Sequence, residues 1–342
     1  MSEPFIRVEH VKKYFDAGNK KCVKALDDVS LEVYRGEILG IVGESGCGKS
    51  TLGRCIMRLT DITDGKIIMD GKDIFSLSKK EMKEMRRKSQ MVFQNPYSSF
   101  NPKHTIGRSL TDVAKLFGMT NAEAKEDISN LLGLISLDES VLSRRPGELS
   151  GGQLQRLAIA RALITKPVFI LADEPVSALD VSVQAQILNL IFDLKQQFDQ
   201  TMMFISHDLP VVEHICDRIV VMYLGAIMEM GSVDDIFSDT RHPYTKALIA
   251  SKPRSSPDEP VPEVELKGDL PNAMEMPEGC RFHTRCPHCI LGKCDAAAPL
   301  LKEVSPGHFC ACYLRQKEKT SESLPVQNGF EIKDIRKKET TL

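Results

Sequence analysis

The sequence predicts an α/β fold, and three features predict it. First, the runs VFILAD (168–173), TMMFIS (201–206) and RIVVMYL (218–224) are continuously apolar, the pattern of strands buried on both faces of a parallel sheet. Second, between the first two runs, VSVQAQILNLIFDLKQQF sets Ile187, Ile191, Leu194 and Phe198 on one helical face. Third, GESGCGKST (43–51) follows the short apolar run EILGIV and precedes the helical pattern STLGRCIMRL. A glycine-rich loop between a strand and a helix is where such sheets hold phosphate.

In chain order, residues 5–42 read as β-rich, with short apolar runs separated by charged and glycine-containing turns. KIIMDGKDI (66–74) reads as a hairpin turning at Asp70-Gly71. SKKEMKEMRRK is helical with Ser78 as N-cap, and QMVFQ is a short strand. Residues 105–165 read as mostly helical. The three apolar strands follow. Near Lys252 the composition shifts: residues 252–279 are rich in proline and acidic residues and read as a linker or irregular wrap. A cysteine-rich module runs on to about Leu314. The charged tail, 315–342, reads as a mobile, solvated end.

The chain has 342 residues, enough for one large or two moderate domains. Its net charge of −2 gives no bulk electrostatic reason to expect nucleic acid as a partner. No apolar run approaches the roughly 20 residues that span a bilayer, and MSEPFIRVEHVKK has no apolar signal-peptide core. The protein is therefore expected in the cytosol, with any membrane role exerted through a partner.

Residues 43–51 fit the phosphate-loop spacing G-x-x-x-x-G-K-[ST]. Gly43, Gly46 and Gly48 let the backbone turn its N–H groups toward phosphate, with Ser45, Cys47 and Thr51 completing the loop. Lys49 is expected on the β- and γ-phosphates and Ser50 on Mg²⁺. Asp173, ending a buried strand, is a second Mg²⁺ ligand, and Glu174 is the group that polarises an attacking water. In ELSGGQLQRLAIARAL, Ser150, Gly151, Gly152 and Gln153 open a helix and offer a second phosphate-facing N-terminus. A single nucleotide in a monomer has no evident use for two such ends.

These elements, in this order over about residues 5–250, resemble the ATP-binding cassette (ABC) family. The resemblance implies a P-loop NTPase fold with a helical subdomain at about 95–165 inside a nucleotide-binding domain, 1–252. It implies that the LSGGQ segment of one subunit completes the ATP site of a second cassette, identical or paralogous, in a head-to-tail dimer. By the same resemblance Gln94 senses metal and nucleotide, Asp180 in SALD links the two sites, and His207 contacts the γ-phosphate. Tyr14 stacks on adenine. Leu154 departs from the basic residue the family often carries after LSGGQ.

VFQNPYSSFNPKHTIGRSL (92–110) and RHPYTKALIASKP (241–253) resemble the ATPase subunits of dipeptide and oligopeptide importers. That resemblance implies a peripheral ATPase at the cytoplasmic face of the cell membrane, under two transmembrane permease subunits, with an extracytoplasmic binding protein delivering substrate. Related members carry nickel, glutathione or oligosaccharides. A soluble cassette ATPase of DNA repair or translation is the alternative of another class.

GCRFHTRCPHCILGKC (279–294) gathers four of the ten cysteines, and a reducing cytosol favours metal ligation or burial over disulfides. In the importer group the C-terminal extension carries a cysteine pattern that falls here on Cys280, Cys286 and Cys294, followed later by Cys312 in HFCACYL. The resemblance implies a four-iron–four-sulfur cluster in a small irregular metal-binding extension, 253–314. Four thiolates suit Zn²⁺ as well, with Cys289 in a C-x-x-C pair as a possible substitute ligand. Such a proline-rich stretch is expected to need a metal to order itself.

Overall fold

A computed structural model describes residues 3–18, 22–198, 200–251, 271, 274 and 276–316, the side chains of residues 196 and 198 excepted. Most of the expected linker, and the expected tail beyond residue 316, lie outside the described residues.

The chain opens with the long antiparallel pair β1 (Ile6–Asp16) and β2 (Cys22–Val33), followed by β3 (Ile38–Val42) and α1 (Lys49–Ile56). β4 (Asp64–Met69) and β5 (Lys72–Asp73) turn at Asp70 (φ 52°) and Gly71 (φ 75°). Two successive positive φ values make this the hairpin turn that an Asp-Gly pair favours. α2 (Lys79–Lys88) starts at the expected cap: the Ser78 hydroxyl accepts from the Glu81 N–H, and Glu81 accepts from the Ser78 N–H. β6 (Ser89–Val92) stops short of Phe93.

The expected helical stretch contains α3 (Ile106–Leu116), α4 (Asn121–Leu134) and α5 (Gly151–Leu163), joined partly by short 3₁₀ turns. Next come β7 (Phe169–Asp173), α6 (Val181–Phe198), β8 (Thr201–Ile205), α7 (Leu209–Ile215) and β9 (Arg218–Tyr223). The described chain ends with β10 (Ala226–Ser232), α8 (Val233–Ser238), α9 (Pro243–Ala250), β11 (Lys302–Ser305) and β12 (His308–Cys310).

Among the described residues two sheets form, in the orders β2-β1-β4-β5 and β11-β12-β10-β9-β3-β8-β7-β6. In the larger sheet, β9, β3, β8, β7 and β6 are parallel and buried, as the apolar runs predict. Their side chains divide with period two. Ile38, Ile170, Phe204 and Val221 face the helices with Leu157, Ile187, Ile191 and Val212. Leu39, Leu171, Ile205 and Val220 face the opposite way, onto α1 and the smaller sheet through Leu52, Val8, Leu26 and Ile67. Helices α3–α5 share the first of these apolar clusters with the sheet.

The extension departs from expectation. It is not ordered only around its thiols. β12 pairs antiparallel with β10 and carries β11, so the cysteine-rich module continues the main sheet. Phe282 is fully buried against Tyr223 and Tyr244. Burial of an aromatic side chain and backbone pairing thus contribute to ordering this segment.

Candidate functional site

The phosphate loop is shaped by contacts that only glycine tolerates. Gly43 has φ 149°, and a Cβ there would lie 2.1 Å from the carbonyl oxygen of Met222. Gly48 has φ 105°, and its Cβ would lie 2.3 Å from the Ala25 carbonyl oxygen. Gly48 is also the N-cap of α1 and supplies no side-chain acceptor. The first N–H groups of α1 thus keep their donors for an anion, at the positive end of the helix dipole. Lys49 is buried, and its Nζ donates to the carbonyls of Gly43 (2.7 Å) and Glu44 (3.0 Å).

Four of the expected residues, at the C-terminal ends of the parallel strands, converge with Ser50 of this loop. Ser50 Oγ donates to Asp173 Oδ1 at 2.8 Å. Asp173 ends β7 and is buried; burial pushes its carboxyl pKa up, while the Ser50 hydrogen bond and nearby Arg54 pull it down. A divalent cation would hold such a carboxylate ionised. Gln94 Nε2 donates to Glu174 Oε2 at 2.8 Å and lies 3.3 Å from Ser177 Oγ. His207 Nδ1 lies 3.4 Å from the same Glu174 oxygen. Glu174 adopts φ 47°, a backbone conformation rare outside glycine, and its N–H donates to Ile205 O at 3.0 Å. Strain of this kind collects where a side chain must be aimed.

Other expected residues stand apart from this cluster. Ser150 caps α5 in a reciprocal box with Gln153, leaving the N–H groups of Gly151 and Gly152 without intrahelical partners. Gly152 packs so close to α6 that a Cβ would meet a Val183 methyl at 2.4 Å. Asp180 accepts from the Val183 N–H at 3.0 Å and from the Ser182 hydroxyl at 2.8 Å. Tyr14 donates its hydroxyl to Asp27, with Lys24 Nζ 5.5 Å from its ring centre. Among the described residues, no hydrogen bond joins any of these side chains to the phosphate loop. Sequence reading gave no role to Ser177 and Glu44, although they lie inside SALD and the phosphate-loop motif, and passed over Asp27, which carries no motif signal.

Cys280, Cys294 and Cys312 are buried; Cys286 and Cys289 are half-buried. Burial, then the charge of Cys294, Cys312 and Cys286, pushes the Cys280 thiol up to about 12. Cys286 and Cys312 are shifted upward chiefly by burial, with neighbouring thiols adding to the effect. The sulfurs are thus near enough to sense one another. Even so, no three His, Cys, Asp or Glu side chains among the described residues are arranged to hold a metal ion. Tetrahedral Zn²⁺ needs its sulfurs about 3.8 Å apart. The metal-binding character expected of the extension, as zinc or as an iron–sulfur cluster, therefore has no support in this geometry.

The ABC transporter family pattern matches residues 26–177, and the pattern of the oligopeptide/dipeptide transporter C-terminal region matches residues 228–294. The oligopeptide transport ATP-binding protein AppF of Bacillus subtilis is 46% identical over 322 residues, 91% of this chain and 98% of that protein. Among solved structures, the post-hydrolysis dimer of the ATP-binding cassette MJ0796 bound to ADP and Pi is 30% identical, with a TM-score of 0.61. The match covers 67% of this chain and 98% of that one. The structure of cbiO1 from Clostridium perfringens, part of the ABC transporter complex cbiONQ, is 25% identical with a TM-score of 0.62, covering 70% of this chain and 92% of that one. No helix among the described residues is long and apolar enough to cross a membrane. Together, the phosphate loop, the converging carboxylates and these matches show that the chain is an ATPase and belongs to the ATP-binding subunits of the oligopeptide/dipeptide ABC transporter family.

Proposed function

We propose that the chain is the motor of a di- or oligopeptide importer. It works at the cytoplasmic face of the membrane beneath two permease subunits, with an extracytoplasmic binding protein delivering the peptide. The observation that carries this reading is the meeting of Ser50, Asp173, Glu174, Gln94 and His207 beside the phosphate loop. The C-terminal match to the peptide-transporter type supports the choice of cargo over nickel, glutathione or oligosaccharide.

In this reading the N–H groups from Ser45 to Thr51 cradle the phosphates of ATP, and Lys49 exchanges its loop carbonyls for the β- and γ-phosphates. Mg²⁺ supplies neutralisation of the charge between those phosphates, and Ser50, Asp173 and Gln94 are the residues that would hold it. Glu174 polarises the attacking water, while Gln94 and His207 orient its carboxylate. Ser150, Gly151, Gly152 and Gln153 of a second cassette, a copy or a paralogue, close over the γ-phosphate, and Asp180 links the two sites. Tyr14 stacks on adenine. Closure of the cassettes on ATP drives the permeases, and hydrolysis reopens them.

The Glu174→Gln variant tests this. ATP turnover is expected to fall by at least about 100-fold with ATP still bound, and cells carrying only this variant lose uptake of a radiolabelled oligopeptide. Unchanged turnover overturns the role of Glu174. Lost turnover with intact peptide uptake overturns the cargo.

A four-iron–four-sulfur cluster on Cys280, Cys286, Cys294 and Cys312 rests on the family resemblance alone, and no step of the mechanism is routed through it. Iron, sulfide and zinc analysis of anaerobically purified protein tests it. About four irons per chain with broad visible absorption supports the cluster. A single zinc makes Cys289 a candidate ligand. Absence of both removes the metal.

A further inference from the structure

The cysteine-rich extension reaches the nucleotide site through two arginines that the mechanism above does not use. Residues 280–285 form tight turns in which Phe282 is the anchor, its ring centre 5.5 Å from that of Tyr223 and 5.3 Å from that of Tyr244. Arg281 and Arg285 flank this anchor. Arg285 Nη1 lies 2.9 and 3.0 Å from the two carboxylate oxygens of Glu44, the second residue of the phosphate loop. The Glu44 N–H donates to the Tyr244 hydroxyl at 2.9 Å. Glu44 is therefore gripped at both backbone and side chain by residues from the C-terminal part of the chain. Arg281 pairs with Asp27, whose other oxygen accepts from the Tyr14 hydroxyl.

Neither pair is a solvated surface contact. The side chains are 13% and 15% exposed for Arg281 and Asp27, and 11% and 28% for Arg285 and Glu44. At this degree of burial, removing Arg285 leaves the Glu44 carboxylate without its cationic partner; Asp27 keeps Lys24 Nζ at 3.7 Å when Arg281 is removed. Although burial works against it, the Tyr14 hydrogen bond and the Arg281 charge hold the Asp27 carboxyl below its ordinary range. Burial and the bond to Asp27 raise Tyr14 to about 12, so it stays a phenol and a donor at neutral pH.

We propose that Arg281 and Arg285 are positioning residues of the nucleotide site. Arg285 fixes the entry of the phosphate loop through Glu44, and Arg281 fixes the Tyr14 ring through Asp27. Holding loop and ring in place before the ligand arrives removes an ordering cost from binding. The inference rests on the reading of residues 43–51 and Tyr14 as the ATP site.

The test is equilibrium binding of MgATP and of inorganic tripolyphosphate, which lacks a base, to the full-length chain. Arg285→Ala is expected to weaken both ligands about tenfold, the scale of a lost charge-assisted pair. Arg281→Ala is expected to weaken MgATP to a similar degree and leave tripolyphosphate unchanged. Arg285→Ala in a Glu44→Gln background should bring little further loss. Lysine at either position keeps the charge but not the guanidinium's placement of its donor, so these variants should fall between. They also preserve the test if an alanine variant fails to fold.

Wild-type affinity for both ligands in folded variants overturns the proposal. So does an Arg281→Ala variant that loses both ligands equally in step with its melting temperature, since that marks a structural role. Lys49→Ala separates the layers. Normal ATP binding by that variant means the site reading is wrong. Lost binding there, alongside normal binding by the arginine variants, sinks only the present inference.

Discussion

At the scale of single residues, the decisive facts are local and steric. Gly43 and Gly48 stand where a Cβ would enter a backbone carbonyl, and Glu174 carries a strained φ that aims its carboxylate at Gln94 and His207. His242 supplies a prediction at this scale. It is buried, and its Nδ1 caps α9 by accepting from the Tyr244 N–H at 3.0 Å. Burial lowers its pKa to about 4, against the pull of Glu229. The unfolded imidazole takes a proton near its ordinary value of about 6.5, whereas the folded one does not until about 4. Stability from this residue is therefore full above pH 6.5 and lost as pH falls toward 4, at up to about 1.4 kcal/mol per pH unit. His242→Asn keeps a capping acceptor and should flatten that slope. Urea midpoints at pH 7.5, 6 and 5 check it, and an unchanged slope refutes it.

At the scale of elements, legibility followed periodicity. The buried parallel strands β7, β8 and β9, the Asp70-Gly71 turn and the Ser78 cap were all readable, because each depends on residues close in sequence. Three of the four residues assigned to one face of α6 are buried as expected, Ile187, Ile191 and Leu194; the side chain of Phe198 lies outside the described set. β11 and β12 were not readable. KEVS and HFC are too short to show alternation, and they become strands only because β10 offers them an edge. β10 itself was missed, since AIMEMGS mixes buried Glu229 with apolar residues. That glutamate is tolerated in the core because the N–H groups of Arg241 and His242 and the His308 ring surround its carboxylate.

At the scale of the whole molecule, the extension and the cassette form one packed unit, with Cys280, Phe282 and Cys294 inside the same apolar cluster as Leu157 and Ile191. Phe282→Ala should therefore destabilise the protein as a whole by about 3–5 kcal/mol. A single lowered unfolding transition in calorimetry is the expected result; an unchanged main transition would mean the extension is an appendage. By itself the sequence determined the α/β class, the phosphate loop, the paired carboxylates and the family. These are written in apolar runs and fixed motif spacings, which are local. Tertiary structure alone decided that Gln94, Glu174 and His207, from the ends of three different strands, share one carboxylate. It alone decided that Arg281 and Arg285 reach Asp27 and Glu44 across more than two hundred residues of chain. The reason is physical: a buried ion pair is selected by the geometry of the folded surface on which both partners sit, and no period or spacing in the chain encodes that distance.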